Sequence, residues 1–167
     1  MDETTFILLY KSMVRPHAEF TNSVWCPFKQ GNITEIEKIQ KRATKLVIKL
    51  KSKPYKDRLF HLNLPTLKYR RLRGDMIEVF KIIDNIYDVI VTPYLPFNTS
   101  YKLFNHTFHY DLRKLLFSAR VVNIWNNLPN FVVNASTVNA MKARLDKFWL
   151  HQAVKFDFTT DLTAIGN

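Results

Sequence analysis

From Glu35 to Leu50 the apolar residues Ile36, Ile39, Ala43, Leu46, Val47 and Leu50 recur at three- and four-residue steps, with Lys38, Lys41, Arg42, Lys45 and Lys49 between them. That spacing predicts an amphipathic helix with one inward stripe and strongly cationic outer faces. Ahead of it, Thr34-Glu35-Ile36-Glu37 has the Ser/Thr-x-x-Glu form of a capping box, in which hydroxyl and carboxylate each satisfy a free backbone N–H. The helix is therefore expected to start there, after a turn at Gly31-Asn32. Three Gly in 167 residues are few for a protein of many hairpins, which favours a mainly helical chain throughout.

The remaining pattern agrees. Thr5 to Ser12, with Phe6, Ile7, Leu8, Leu9 and Tyr10 and then Met13, predicts a buried helix capped by Asp2 or Thr4 and bent or restarted at Pro16. Pro54 opens a short helix through Leu62, with Tyr55, Leu59 and Leu62 inward. Thr66 to about Ile86 is the longest expected helix, its stripe made of Leu67, Leu72, Met76, Val79, Phe80 and Ile83, and Arg70, Arg71 and Arg73 lie in its first half. Residues 101–112 alternate polar and aromatic side chains, a pattern compatible with a small β-hairpin. Two further helices are expected, Leu115 to Leu128 before Pro129, and Ser136 to His151 with Ser136 as cap. The expected architecture is a mainly α multi-helix bundle: a basic helical unit over 1–86, a connector over 87–112, a helical pair over 113–152 and a frayed tail over 153–167.

Charge is concentrated rather than spread. Between Lys38 and Arg73 thirteen Lys and Arg face one acid, Asp57, a local charge of +12, while twelve basic and thirteen acidic residues elsewhere leave −1. Interleaving with Ile, Leu, Val and Tyr marks a folded basic surface rather than a disordered tail. A solvated face of mixed sign would show acids among the cations. Contact with a phosphate backbone is thus the favoured reading, with Lys38, Lys41, Arg42, Lys45 and Lys49 on one helix and Arg70, Arg71 and Arg73 on another as the contacts. The alternative is a helical module whose basic face meets an acidic protein or a membrane surface.

Other chemistry lacks its residues. Two-metal catalysis needs clustered carboxylates, and the only adjacent acids are Asp2-Glu3 at the terminus. Zinc needs paired Cys or His ligands, whereas His106 and His109 have no second pair and Cys26 is the single thiol. No Gly-rich phosphate loop is present. No catalytic residue, metal or cofactor is therefore assigned. The lone Cys excludes an internal disulfide framework, no run of eighteen apolar residues offers a membrane span, and Met1-Asp2-Glu3 lacks a basic signal-peptide start. A soluble nuclear or cytoplasmic protein is expected.

Three ordered blocks resemble a known family. The run Leu9-Tyr10-Lys11-Ser12-Met13-Val14-Arg15-Pro16-His17-Ala18-Glu19-Phe20 with Val24-Trp25-Cys26-Pro27 is similar to the stretch just beyond the palm of reverse transcriptases from non-LTR retrotransposons, the jockey and chicken-repeat-like LINE elements. So are Ile36-Glu37-Lys38-Ile39-Gln40-Lys41-Arg42-Ala43-Thr44-Lys45-Leu46, Leu62-Asn63-Leu64-Pro65-Thr66-Leu67 and Arg70-Arg71-Leu72-Arg73-Gly74-Asp75-Met76. The last block is Phe117-Ser118-Ala119-Arg120-Val121-Val122-Asn123-Ile124-Trp125-Asn126-Asn127-Leu128-Pro129, followed by Lys142-Ala143-Arg144-Leu145. The resemblance implies a thumb and helical extension that cradle a template–primer duplex, with RNA, DNA or an RNA–DNA hybrid as partner. It also implies that the Tyr/Phe-x-Asp-Asp palm, the fingers and the endonuclease are missing. The expectation is a non-catalytic remnant of an RNA-directed DNA polymerase, starting at an internal Met, whose palm-facing first helix is left exposed and free to self-associate.

Overall fold

The computed structural model describes residues 1–19, 30–84, 102–103 and 117–163. These are mainly helical, and no described residue lies in a β-strand. Apart from Lys102 and Leu103, the connector and the hairpin expected over 101–112 fall outside the described residues. The chain divides into two compact units, one formed by Met1–Arg71 with Gln152–Leu162 and the other built on Leu72–His151. This division departs from the expected boundaries at 86, 112 and 152. The long helix belongs to both units, and the segment after Gln152 belongs to the first.

In the first unit, α1 (Glu3–Leu9) starts at Asp2, whose carboxylate accepts the Thr5 N–H at 3.0 Å. A wide π turn (Tyr10–Val14) leads into α2 (Arg15–Glu19). Pro16 has no N–H, and its ring crowds the carbonyl four residues back. The wide turn just ahead, closed by the Arg15 N–H on the Tyr10 carbonyl, lets the chain stay helical through it. Phe6 and Tyr10 are the inward pair, their rings stacked at 5.7 Å. Leu8 of α1 and Met13 of the π turn are 67% and 63% exposed, so the first helical segment is not the buried helix the composition suggests.

Helix α3 (Gln30–Ala43) begins ahead of the expected capping box, with Gly31, Asn32 and Thr34 already helical. Two 3₁₀ turns, Thr44–Leu46 and Ile48–Leu50, carry the same segment on. Its inward face is Ile33, Glu37, Gln40, Thr44, Val47 and Leu50. Ile39 and Leu46, placed on the inner stripe by their spacing, are instead 47% and 59% exposed. The helix is turned so that polar residues go in and two aliphatics stay out.

Helix α4 (Tyr55–His61) ends in a Schellman motif: the Asn63 N–H bonds the Phe60 carbonyl at 3.1 Å and the Leu64 N–H bonds the Leu59 carbonyl at 2.9 Å. This closure needs a left-handed residue, and Asn63 takes it at φ 48°. Leu59 and Leu64 meet in the core formed with Phe6, Tyr10, Val47, Leu50 and Leu62. Thr66 caps α5 (Leu67–Ile83): its hydroxyl accepts the Tyr69 N–H at 3.1 Å and donates to the Val154 carbonyl at 2.6 Å. The Thr66 N–H reaches the Lys155 carbonyl at 2.9 Å, and Phe156 packs edge-on against Phe60 at 5.4 Å. Residues 153–162 are therefore held, with Val154 fully buried, and do not form the frayed tail that the lack of a persistent helix signal suggests.

In the second unit the core is Met76, Val79, Phe80 and Ile83 of α5, Val121 and Trp125 of α6 (Phe117–Asn126), Val132 of α7 (Asn130–Val133), and Met141 and Leu145 of α8 (Val138–Phe148). Each such side chain contributes roughly 1.5–3 kcal/mol by leaving water. Thr137, one residue beyond the expected Ser136, caps α8 by accepting the Ala140 N–H at 3.1 Å. Lys102 donates to the Asn126 and Leu128 carbonyls at 2.6 and 3.3 Å, placing a cation on the carboxyl end of α6. Buried Asp75 accepts both Nε and Nη2 of Arg120 at 3.0 Å, a two-point pair across α5 and α6.

Candidate nucleic-acid interface

Folding sorts the thirteen cations of the basic block. Arg70 grips the Glu19 carboxylate through Nε and Nη2, and Arg71, 6% exposed, donates to the Ala18 carbonyl at 2.9 Å. Arg73 holds Asp146 at 2.6 and 2.8 Å. Lys68 is tied to the Phe158 and Thr160 carbonyls and to Asp161, Lys56 lies 3.4 Å from Asp157, and Lys38 pairs with Glu35 at 2.5 Å. Arg58 is buried, 5.7 Å over the Tyr55 ring, with Nε and Nη1 lacking hydrogen-bond partners, and burial lowers its pKa. Seven of the thirteen are thus engaged or enclosed.

The other six are contiguous. Lys41, Arg42, Lys45, Lys49, Lys51 and Lys53 are all exposed, and none makes an ion pair with a described residue. Four of them, Lys41, Arg42, Lys45 and Lys49, are among the residues singled out from the sequence. Lys51 and Lys53 were not singled out there, although they sit in the same charge block and only the helical boundary set them aside. Arg70, Arg71 and Arg73, expected from the sequence as phosphate contacts, each have an intramolecular acceptor instead.

The back of this cationic ridge is fixed by an unusual anchor. Glu37 is 1% exposed and its carboxylate accepts the Lys68 N–H at 2.8 Å, at the open amino end of α5, and the Tyr55 hydroxyl at 2.8 Å. Gln40 adds a bond from Nε2 to the Pro65 carbonyl at 3.1 Å. Burial pushes the Glu37 carboxyl above its ordinary range, against the opposing pull of the Lys68 N–H and the Tyr55 hydroxyl. Burial, with the Glu37 charge beside it, also pushes the Tyr55 hydroxyl up. So the acid expected to cap its own helix caps a different one, and α3, α4 and α5 are joined at one carboxylate.

Among the described residues no three His, Cys, Asp or Glu converge on a metal-sized space, and no helix is long and apolar enough to cross a membrane. Cys26, His106 and His109 lie outside the described residues. A cleft of about 260 Å³ in the second unit is lined by Phe80, Ile83, Trp125, Val133 and Asn134, with Asp84 as its ionisable lining residue. No protein-family model, no curated protein and no solved structure matches the chain.

Proposed function

We propose that this chain is a non-catalytic helical unit that holds nucleic acid by its sugar–phosphate backbone without reading sequence, a remnant of the thumb region of a non-LTR reverse transcriptase. The observation that carries the reading is the run of six exposed cations from Lys41 to Lys53 with no acid among them and no ion pair to a described residue. Cations that already have carboxylate partners gain little from phosphate, whereas unpartnered ones release counterions from the ligand on contact. The rigid mounting through Glu37 supports it, because the ridge is ordered before a ligand arrives.

Five of the six cations of the ridge are lysines, which act as point charges on phosphate, so affinity should be similar across sequences. The exposed face formed by Leu8 of α1 and Met13 of the π turn is the surface through which copies would associate. The test is fluorescence anisotropy of a labelled RNA–DNA hybrid titrated at several salt concentrations, beside primer extension with the same hybrid. Salt-dependent binding with no extension is expected. Absence of binding at low salt, or extension above a mock preparation, overturns the reading.

A further inference from the structure

The last stretch of the first unit divides into an anchor and a strap. In the anchor Val154 is fully buried, and the carbonyls of Val154 and Lys155 accept the Thr66 hydroxyl and N–H. From Asp157 to Leu162 no side chain is buried, although the Phe158 ring meets the Tyr55 ring edge-on at 6.2 Å. Polar bonds hold this strap. Asp157 Oδ1 accepts the Thr159 N–H and hydroxyl at 3.1 and 2.5 Å, which turns the chain, and its Oδ2 lies 3.4 Å from Lys56 Nζ. Lys68 Nζ donates to the Thr160 carbonyl and the Asp161 carboxylate, each at 2.6 Å, and to the Phe158 carbonyl at 3.3 Å, so all three of its protons are used.

What the strap presents to these lysines resembles a sugar–phosphate backbone: a run of oxygens, charged at Asp157 and Asp161, with no cation among them. Both acids fall on lysines of the basic block, and both lysines adjoin the ridge. Lys56 comes three residues after Lys53, and Lys68 lies in the first turn of α5, where Glu37 of α3 holds its N–H. Glu19, Glu35 and Asp146, which also take up cations of the block, are fixed on α2, α3 and α8. The strap has neither a helical ladder nor a buried side chain, and such segments open locally at least cost.

Resting on the backbone-binding reading above, we infer that Lys56 and Lys68 are two further phosphate contacts, covered by the strap 157–162, which acts as an internal competitor for the strand. With the strap closed the ridge has six cations, and with it open the chain offers eight. Closure also keeps two carboxylates beside the ridge, where they repel an approaching phosphate.

The experiment follows binding of a blunt RNA–DNA hybrid across salt concentrations for the full chain and for Asp157→Asn/Asp161→Asn, in which the amide at 157 still accepts the Thr159 N–H. The double variant should bind more tightly at low salt and steepen the slope from about −5.4 to about −7.2, so that its advantage shrinks roughly twelvefold over a fourfold rise in salt. Asp161→Asn by itself, at a carboxylate 89% exposed, should keep the fold and reach a slope of about −6.3. Adding Lys56→Ala/Lys68→Ala should return the double variant to about −5.4, while the same two changes in the parent should leave its slope as it is. Asp57→Asn/Asp84→Asn is the charge-matched control, at two exposed acids without an ion pair to a described residue, and it should not steepen the slope. An unchanged slope in both strap variants, an equal steepening in the control, or a flatter slope when the lysines are removed from the parent overturns the inference and leaves the backbone reading standing. No binding by any of these proteins at low salt removes both.

Discussion

Replacing Lys45 and Lys49 by Ala should weaken nucleic-acid binding in a manner set by ion counting. With all six exposed cations from Lys41 to Lys53 on phosphates, log K against log salt falls with a slope of about −5.4 on duplex. A fourfold rise in salt then lowers affinity roughly 1,800-fold. Removing two contacts brings the slope to about −3.6, and the same rise costs roughly 150-fold. The contrast is Arg73→Ala, which removes a residue of equal charge whose guanidinium is already held by Asp146. Its slope should stay at about −5.4, and because Asp146 is 49% exposed the fold should lose at most about 1 kcal/mol. Fluorescence anisotropy on a fixed hybrid across five salt concentrations measures all three slopes. If Arg73→Ala flattens the slope as much as one lysine does, or if Lys45→Ala/Lys49→Ala leaves it unchanged, the division between engaged and free cations is wrong.

Other consequences concern the fold. Because burial holds the Glu37 carboxyl above its unfolded value near 4.5, the folded state binds that proton more tightly, and the stability Glu37 contributes falls as pH rises above about 4.5. The melting temperature of the parent minus that of Glu37→Gln should therefore decrease from about pH 4 to about pH 7, and an increase would mean that the hydrogen bonds outweigh burial. Asn63→Gly should leave thermal stability nearly unchanged, whereas Asn63→Val should cost about 1–2 kcal/mol, since a branched side chain resists the left-handed backbone. Asp75→Ala removes the two-point carboxylate partner of the partly buried Arg120 guanidinium and should destabilise the second unit by about 3 kcal/mol in urea unfolding. Leu8→Glu/Met13→Glu should abolish any concentration-dependent mass increase in light scattering, and persistence of that increase would place self-association elsewhere.

Much of the fold was legible because it depends on neighbours in sequence. The stripe of α5, the stop at Pro129 and the Asp2 cap each follow from residues within one or two turns. What misled were groups whose partners arrive from far along the chain. Thr34 and Glu37 have the spacing of a reciprocal cap, but Glu37 meets Lys68 and Tyr55, 31 and 18 residues away, and their donors outcompete its own helix start. The same reason blurred the site. A local tally counts thirteen cations against one acid, whereas Glu19, Asp146, Asp157 and Asp161 come from outside the block to take up four of them. The lack of a persistent helix signal likewise marked residues 153–162 as loose, since nothing nearby in sequence announces that Thr66 would bond Val154 and Lys155.

The junction at Glu37 bears on how a ligand would be met in time and heat. A surface whose rear is clamped to two other helices has nothing left to fold when it is occupied, so its association should follow single-step kinetics limited by encounter and orientation. The heat capacity change should be small, matching the area covered rather than a segment becoming ordered. Dissociation, being the step that salt governs, would then set how long the chain stays on a strand. The carboxylate that never touches the ligand thereby decides that binding is docking and not folding.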